Sequence, residues 1–473
     1  MTPQTSLTRH PEGSVRELWS VSFPLMISSF AMLFMIFTDR IFLAHYSVDA
    51  LNASVNAGTL AWAFMSGIGM VAAMSEVFVA QYNGAKLFEN IGKPVWQMIW
   101  VSLLSFLLFI PLAFLGGSLF FEGDLYEELE TIYFRWLMLF GPSYALMTAC
   151  TGFFIGRGKT KLMIWIAAFA NGINILLDWL FIFGVKGWIP ELGVQGAAIA
   201  TCIGYVFQSA VLFFLFLKKE NRDAFGTKNW QIQKSEMLKC LKVGVPQGLF
   251  CALEIGGWAL FYVLMTRLSE KHITISSICQ SVLILLYFFS DGLSRGAAAL
   301  AGNFIGSQRH ELVKKVLRSS MILLLFFLLT ISLVLVIDPI HTTGFLFFSQ
   351  IEEGSTKIIL DPTFAESLKV CLILSFFYLL FDGPRWVLSG LLSAAGDTIF
   401  LLLAGCLAIW IFLLLPLYLI VVQYNLPVEY AWGLTVSYAL LFFFVYWIRF
   451  RQGAWKKIDL VSNPVNVQVP ESK

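Results

Sequence analysis

Charge is scarce in this chain. Lys, Arg, Asp and Glu make up 13% of its 473 residues against 58% hydrophobic ones, and the mean hydropathy is +0.76. A soluble domain does not combine such values, so the ordinary soluble classes are excluded and the chain reads as a membrane protein. Metal and redox chemistry have little to work with. The seven cysteines (Cys150, Cys202, Cys240, Cys251, Cys279, Cys371, Cys406) are scattered with no CxxC, and read as small apolar packing residues rather than a metal cage or a disulfide framework. The five histidines, His10, His45, His272, His310 and His341, lie near expected helix ends, with no HExxH and no pair. No Ser–Lys pair sits at a common depth, so an intramembrane enzyme lacks its machinery. No filter-like loop supports a channel. The first apolar run is expected to stay in the mature protein: it follows a polar tail with Glu12, Arg16 and Glu17, is too long for a signal peptide and shows no small-residue cleavage site.

Hydrocarbon is what there is plenty of. A bilayer crossing takes roughly 20 apolar residues, and twelve runs qualify: about 18 to 42, 54 to 80, 95 to 119, 132 to 156, 161 to 185, 194 to 217, 239 to 266, 275 to 303, 316 to 337, 367 to 393, 398 to 422 and 428 to 449. Basic residues gather in alternate connections: Lys218, Lys219, Arg222, Lys228, Lys234, Lys239 and Lys242 in one; Arg309, Lys314, Lys315 and Arg318 in another; Arg157, Lys159 and Lys161 in a third; and Arg449, Arg451, Lys456 and Lys457 in the tail. The opposite side carries Glu122, Asp124, Glu127, Glu128 and Glu130 in one loop, and Glu352 and Glu353 in another. Lys and Arg stay on the cytoplasmic side, so both termini are expected in the cytoplasm.

The chain repeats itself. "SFPLMISSF" parallels "GVPQGLFCA", and "AQYNGAK" parallels "GNFIGSQ", with Pro24 to Pro246 and Gly84 to Gly306 both 222 positions apart. "TGFFIGRGKT" parallels "SGLLSAAGDT", with Gly152 to Gly390 and Gly158 to Gly396 both 238 apart, so an extra 16 residues fall near 338 to 366. Six spans per copy bring the second half back in the same orientation, a parallel repeat of the kind transporters rock about a central site. The expected fold is an all-α polytopic membrane protein of twelve transmembrane helices in two six-helix bundles. Its divisions are a tail over 1–17, a first lobe over 18–217, a linker over 218–238, a second lobe over 239–449 and a tail over 450–473.

Each carboxylate kept in the membrane costs roughly 2.5 to 3.5 kcal/mol on insertion scales, so each needs a reason. Glu76 lies near a span end, where snorkelling suffices. Asp291 precedes Arg295 by four residues, the spacing of an ion pair on one helix face. Asp178 lies one turn after Asn174 on one face; with Thr201 and Asp39 these offer oxygen ligands suited to a hard cation, or alternatively interhelical hydrogen bonds. In "YLLFDGPRW", Tyr378 and Asp382 share a face, and Glu254 in "CALEIGGW" offers a second acid. An acid beside an aromatic suits an organic cation. Gly256, Gly257 and Gly383 allow close approach, and Pro384 is expected to loosen the backbone beside Asp382. Arg385, three residues on, is either a counter-ion that modulates this site or simply the salt-bridge partner of Asp382.

With a repeat of six and six spans and these acids in place, the chain resembles the MATE family, the multidrug and toxic compound extrusion transporters, and within it the NorM-like branch, from about residue 16 to 450. The likeness rests on Asp39, the Asn174-x-x-x-Asp178 pair, Thr201, Glu254 in "ALEIG", and Tyr378-x-x-x-Asp382. The chain departs from many relatives in having "LSAAGDT" late in the tenth span, without an Arg-Gly pair, and in carrying Arg385 instead. The resemblance implies an N-lobe Na⁺ or H⁺ site at Asp39, Asn174, Asp178 and Thr201, with the backbone near Ala197, and a C-lobe cation or substrate site at Glu254, Tyr378 and Asp382. It implies antiport of Na⁺ or H⁺ against an organic cation or hydrophobic drug, by a monomer among membrane lipids of a bacterial inner membrane, with no cofactor and no nucleic-acid partner. The alternative is a flippase for a lipid-linked oligosaccharide, whose diphosphate would call for an Arg- or Lys-lined cavity.

Overall fold

In lipid a backbone must satisfy its own hydrogen bonds, which leaves uninterrupted apolar runs of this kind only the helix. The computed structural model describes residues 7–337 and 362–461. The first half holds α1 (Val15–Tyr46), α2 (Val48–Gly84), α3 (Phe88–Phe120), α4 (Glu127–Ile155), α5 (Lys161–Phe183) and α6 (Val194–Phe216). A short helix, Lys219–Phe225, lies in the basic connection. The second half holds α7 (Lys234–Leu268), α8 (Glu270–Gly306), α9 (His310–Ser332), α10 (Pro362–Ala394), α11 (Thr398–Val422) and α12 (Val428–Gln452). Eleven of these, all but α9, are long and apolar enough to cross a membrane. The run expected as the ninth span is α9 and a π-helical continuation, Leu333–Ile337, that reaches the edge of the described residues. Most of the inserted stretch near 338 to 366, with Glu352, Glu353 and His341, lies outside them, as does the tail beyond 461.

Pro384, expected to loosen the backbone beside Asp382, stands inside α10, which stays helical through it. Helices here tolerate proline elsewhere as well, at Pro24, Pro142 and Pro246, because neighbouring helices and side chains can take up the freed carbonyl. Glu130, expected in an acidic loop, belongs to the first turn of α4 and is only 2% exposed, accepting a hydrogen bond from Asn56 Nδ2 at 2.7 Å.

The repeat extends to single turns. Ser47 and Ser269, 222 positions apart, cap the second helix of each half in the same extended conformation (φ −163° and −170°). Their hydroxyls accept from Ala50 N at 2.9 Å and His272 N at 3.3 Å, positions again 222 apart. Lys86 and Gln308, likewise 222 apart, both adopt left-handed backbone (φ 60° and 61°). Gly158 and Gly396 do the same, 238 apart. Replacing either capping serine with alanine is expected to cost about 1 kcal/mol, read as a lowered unfolding temperature of the purified protein, and similar losses at the two sites would show that the two turns are energetically equivalent.

Contacts between the halves cluster on the side where the described residues begin and end. There α1 packs on α8, with Ser22 against Gly296 and Met26 against Gly292, and Gly244 and Gly248 of α7 meet Val71 and Gly67 of α2. Gly84 touches the backbone of Asn303, and its repeat mate Gly306 touches that of Gln81; a side chain at either glycine would collide with main chain. Asn83 Nδ2 donates to Asn303 Oδ1 at 2.6 Å, Asn303 Nδ2 to Gly156 O at 2.8 Å, and Gln81 Nε2 to Ala394 O at 2.8 Å. The innermost links are Ser29 Oγ to Asp291 Oδ2 at 2.6 Å and an edge-to-face pair, Phe30 with Phe288, at 5.4 Å. Among the described residues the hydrogen bonds and ring contacts that cross the lobes all fall in this half.

Candidate functional site

The first cluster lies in the N-lobe, away from that closed end. Asp39 comes from the last turns of α1, Asn174 and Asp178 from one face of α5, and Thr201 from the second turn of α6, with Ala197 one turn earlier. All five are buried, and Asn174, Asp178 and Ala197 are fully so. Thr201 Oγ1 donates to Asp39 Oδ2 at 3.4 Å, a long bond. The Asp39 and Asp178 carboxyls stand within reach of each other, and the Tyr133 ring of α4 closes the neighbourhood. Among the described residues no hydrogen-bond partner reaches Asp39 Oδ1, either oxygen of Asp178, or either amide atom of Asn174.

That accounting is unusual. Buried polar atoms nearly always find partners, and leaving several carboxylate and amide atoms bare in one pocket costs several kcal/mol in total. Two carboxylates side by side also repel strongly in a dry pocket. A proton shared between them, or a cation held between them, relieves both penalties. The donor set fits Na⁺: two carboxylates, an amide oxygen and a hydroxyl are hard oxygen ligands, and among the described residues no group of three or more His, Cys, Asp or Glu exists that would suit a transition metal.

The second cluster is in the C-lobe and is built differently. Glu254 comes from α7, and Tyr378, Asp382 and Arg385 from α10. Arg385, its side chain 2% exposed, donates from Nε to Asp382 Oδ1 at 2.7 Å and lies 3.4 Å from Glu254 Oε1 through Nη1. It therefore pairs with both acids, not with Asp382 alone. Its guanidinium also sits over the Trp386 and Phe442 rings, 5.0 and 4.9 Å from their centroids. Tyr378 is buried edge-on to Trp258 at 5.9 Å. Two acids and one guanidinium give a formal charge of −1, enclosed by rings.

A third group falls outside the expected sites. Glu76 does not snorkel: it faces Arg295 of the opposite lobe, Oε2 to Nη2 at 3.8 Å. Arg295 makes that pair instead of the expected one with Asp291, which accepts from Ser29. Local spacing favoured the intrahelical partner, and no sequence signal marks a contact between α2 and α8. The acids also ignore the repeat. The mates of Asp39 and Glu254, 222 positions away, are Phe261 and Met32, and the mate of Asp382, 238 away, is Tyr144. The duplicated scaffold thus carries two chemically different clusters.

Known proteins agree with this architecture. A eukaryotic MATE transporter, AtDTX14, superposes with a TM-score of 0.80 at 19% identity, covering 93% of this chain and 96% of that one. A probable multidrug resistance protein NorM of Thermotoga maritima is 23% identical over 451 residues, 93% of each chain. Another, of Geobacillus kaustophilus, is 25% identical over 419 residues, 85% of this chain and 87% of its own. The sequence profile of the MatE family matches residues 24–180 and 249–419. Those two stretches take in well over half of the sequence, one in each lobe, and the chain belongs to the MATE family of multidrug efflux transporters, with NorM-named proteins among its relatives.

Proposed function

We propose that the protein is a secondary antiporter that exports organic cations or hydrophobic drugs in exchange for an inward-moving Na⁺ or H⁺, with Asp39, Asn174, Asp178 and Thr201 as the coupling site. The observation that carries this reading is the set of bare polar atoms in the N-lobe. A pocket that is unsatisfied until it holds an ion is a coupling device, because occlusion is costly when it is empty. The lobes meet on the side where the described residues begin and end, read as cytoplasmic from the basic loops, so the arrangement is closed inward. Alternating access then requires these contacts to part and the opposite ends to meet.

The energetics are adequate. A monovalent ion moving inward gains about 2.3 kcal/mol per 100 mV, and a tenfold gradient adds about 1.4 kcal/mol. One ion per neutral drug therefore sustains at most a few-hundred-fold drug gradient. The C-lobe cluster, with its formal −1 charge and its rings, suits a cation by charge pairing and by cation–π contact. It does not suit the diphosphate of a flippase substrate, because the guanidinium there is already committed to two carboxylates.

Efflux of a fluorescent cationic dye from right-side-out vesicles tests the proposal. An inward Na⁺ gradient at fixed pH is expected to drive dye out, the NorM-like C-lobe acids favouring Na⁺. Efflux that follows a pH jump and ignores Na⁺ would assign the coupling to H⁺, and efflux indifferent to both gradients would defeat the antiport reading.

A further inference from the structure

Three charged residues at the inner limit of the lobe contact belong to neither site: Glu76 on α2, and Asp291 and Arg295 on α8. Their placement is not accidental to the backbone. The α2 helix breaks at Met74, between Ala73 and Ser75. Just beyond the break, Ser75 Oγ donates to Ala149 O of α4 at 2.8 Å, and Gly152 of α4 packs against the main chain of Glu76, where a Cβ would lie 2.6 Å from Glu76 N. The N-lobe thus fixes the Glu76 backbone from behind, and its carboxylate extends to Arg295 across the gap. On the other side of the contact, Asp291 is one turn before Arg295 and is held by the Ser29 hydroxyl of α1. Two links therefore cross between the lobes here, one ionic and one a hydrogen bond. Tyr144 and Tyr287 stand in the same neighbourhood.

The arrangement contains two acids for one guanidinium, one acid on each side of the moving boundary. The Arg295 side chain is 37% exposed and its Glu76 partner 13%, so parting the pair strips the partly buried guanidinium of its one cross-lobe carboxylate, and a cross-lobe ion pair alone would resist opening. Asp291 removes that obstacle, because its i,i+4 spacing to Arg295 is the one at which charged side chains meet on a helix face. Parting the lobes on this side frees Asp291 from Ser29 and Arg295 from Glu76 in the same movement, while Glu76 passes to the water that enters.

Resting on the alternating-access reading above, we propose that Arg295 is a partner-switching latch, bound to Glu76 of the N-lobe while the cytoplasmic side is closed and to Asp291 of its own helix when that side is open. Arg295 and Asp291 are positioning residues, which act on the lobe equilibrium and touch no cargo. The two acids consequently differ: Glu76 stabilises the closed side alone, whereas Asp291 accepts from Ser29 on the closed side and supplies with its charge the partner that Arg295 needs on the open one, so that Asp291→Asn keeps the acceptor and removes only the charge.

Hydrogen–deuterium exchange of the purified full-length chain, read over residues 79–84 and 299–306, tests the latch, and dye efflux by the same chain in vesicles tests the switch. Glu76→Gln is expected to speed exchange in both segments by about tenfold, the upper range of single-residue effects on coupling. Asp291→Asn is expected to leave exchange no faster than in the parent, yet to lower the maximal efflux rate several-fold with an unchanged KM. If Glu76→Gln fails to fold, Ser29→Ala, which removes one hydroxyl, is expected to accelerate exchange in the same segments to a smaller extent. Parent-like exchange in whichever of these two variants folds overturns the latch, and parent-like maximal efflux in Asp291→Asn overturns the switch. If the parent itself shows no ion-driven efflux, the antiport reading fails while the exchange results still decide the latch; the switch is then decided by exchange in the double variant Glu76→Gln/Asp291→Asn, expected to be slower than in Glu76→Gln alone because the open side has lost its partner for Arg295, equal exchange counting against it.

Discussion

Replacing Asp39 with asparagine is expected to abolish ion-driven drug accumulation in vesicles, taking a steady-state gradient of at most a few-hundred-fold towards unity. The substitution keeps shape and keeps an acceptor for the Thr201 hydroxyl, which now donates to Asp39 Oδ2, so loss of folding is not expected. What it removes is the charge that makes the pocket demand an ion. With Asp178 as the sole acid beside Asn174, the repulsion between two carboxylates that a bound Na⁺ or proton relieves is gone, and occlusion no longer depends on the ion gradient. Asp178→Asn is expected to give the same result, because it too leaves a single carboxyl where two stand within reach of each other. Asn174→Ala and Thr201→Ala remove neutral ligands only, so they are expected to raise the Na⁺ concentration needed for half-maximal efflux while leaving coupled transport in place. Undiminished accumulation by Asp39→Asn would exclude the N-lobe as the coupling site.

The helices and the repeat were legible in the sequence because the bilayer permits so few alternatives. Twelve apolar runs had to be helices, and glycines at fixed spacing had to recur where two backbones touch, as Gly84 and Gly306 do. Helix ends were less legible: α7 begins at Lys234 and α8 at Glu270, ahead of the apolar runs they contain, because a helix stops where its caps and neighbours stop it, not where hydrophobicity falls. The N-lobe group could be read because Asn174 and Asp178 share a face and every member lies in a helix of one bundle. The partners that single charged side chains find on other helices could not. Arg385 found Glu254 as well as Asp382, Arg295 chose Glu76 over the nearer Asp291, and Glu130 turned inward to Asn56. In each case a local pattern offered a plausible answer, and tertiary packing supplied a second partner that no local pattern records.

Arg385→Gln separates the two readings of the C-lobe cluster by stability as well as by transport. In the parent the guanidinium neutralises one of two carboxylates, bonds to Asp382, reaches Glu254 and is covered by Trp386 and Phe442. Removing one partner from a buried charge network typically costs about 3–5 kcal/mol, so the variant is expected to unfold at a distinctly lower temperature in Na⁺-free buffer. If the acids form a cation site, Na⁺ then takes the vacated role, and its stabilisation grows with concentration to about 2.7 kcal/mol at a hundredfold excess over Kd. Na⁺ is thus expected to raise the unfolding temperature of Arg385→Gln more than that of the parent, whose acids are already paired. The same exchange of partners is expected to strengthen Na⁺ binding to the variant. A variant that is destabilised but indifferent to Na⁺ would show that Glu254 and Asp382 hold the bundle together through Arg385 and nothing more, leaving the bare atoms of the N-lobe to couple transport alone.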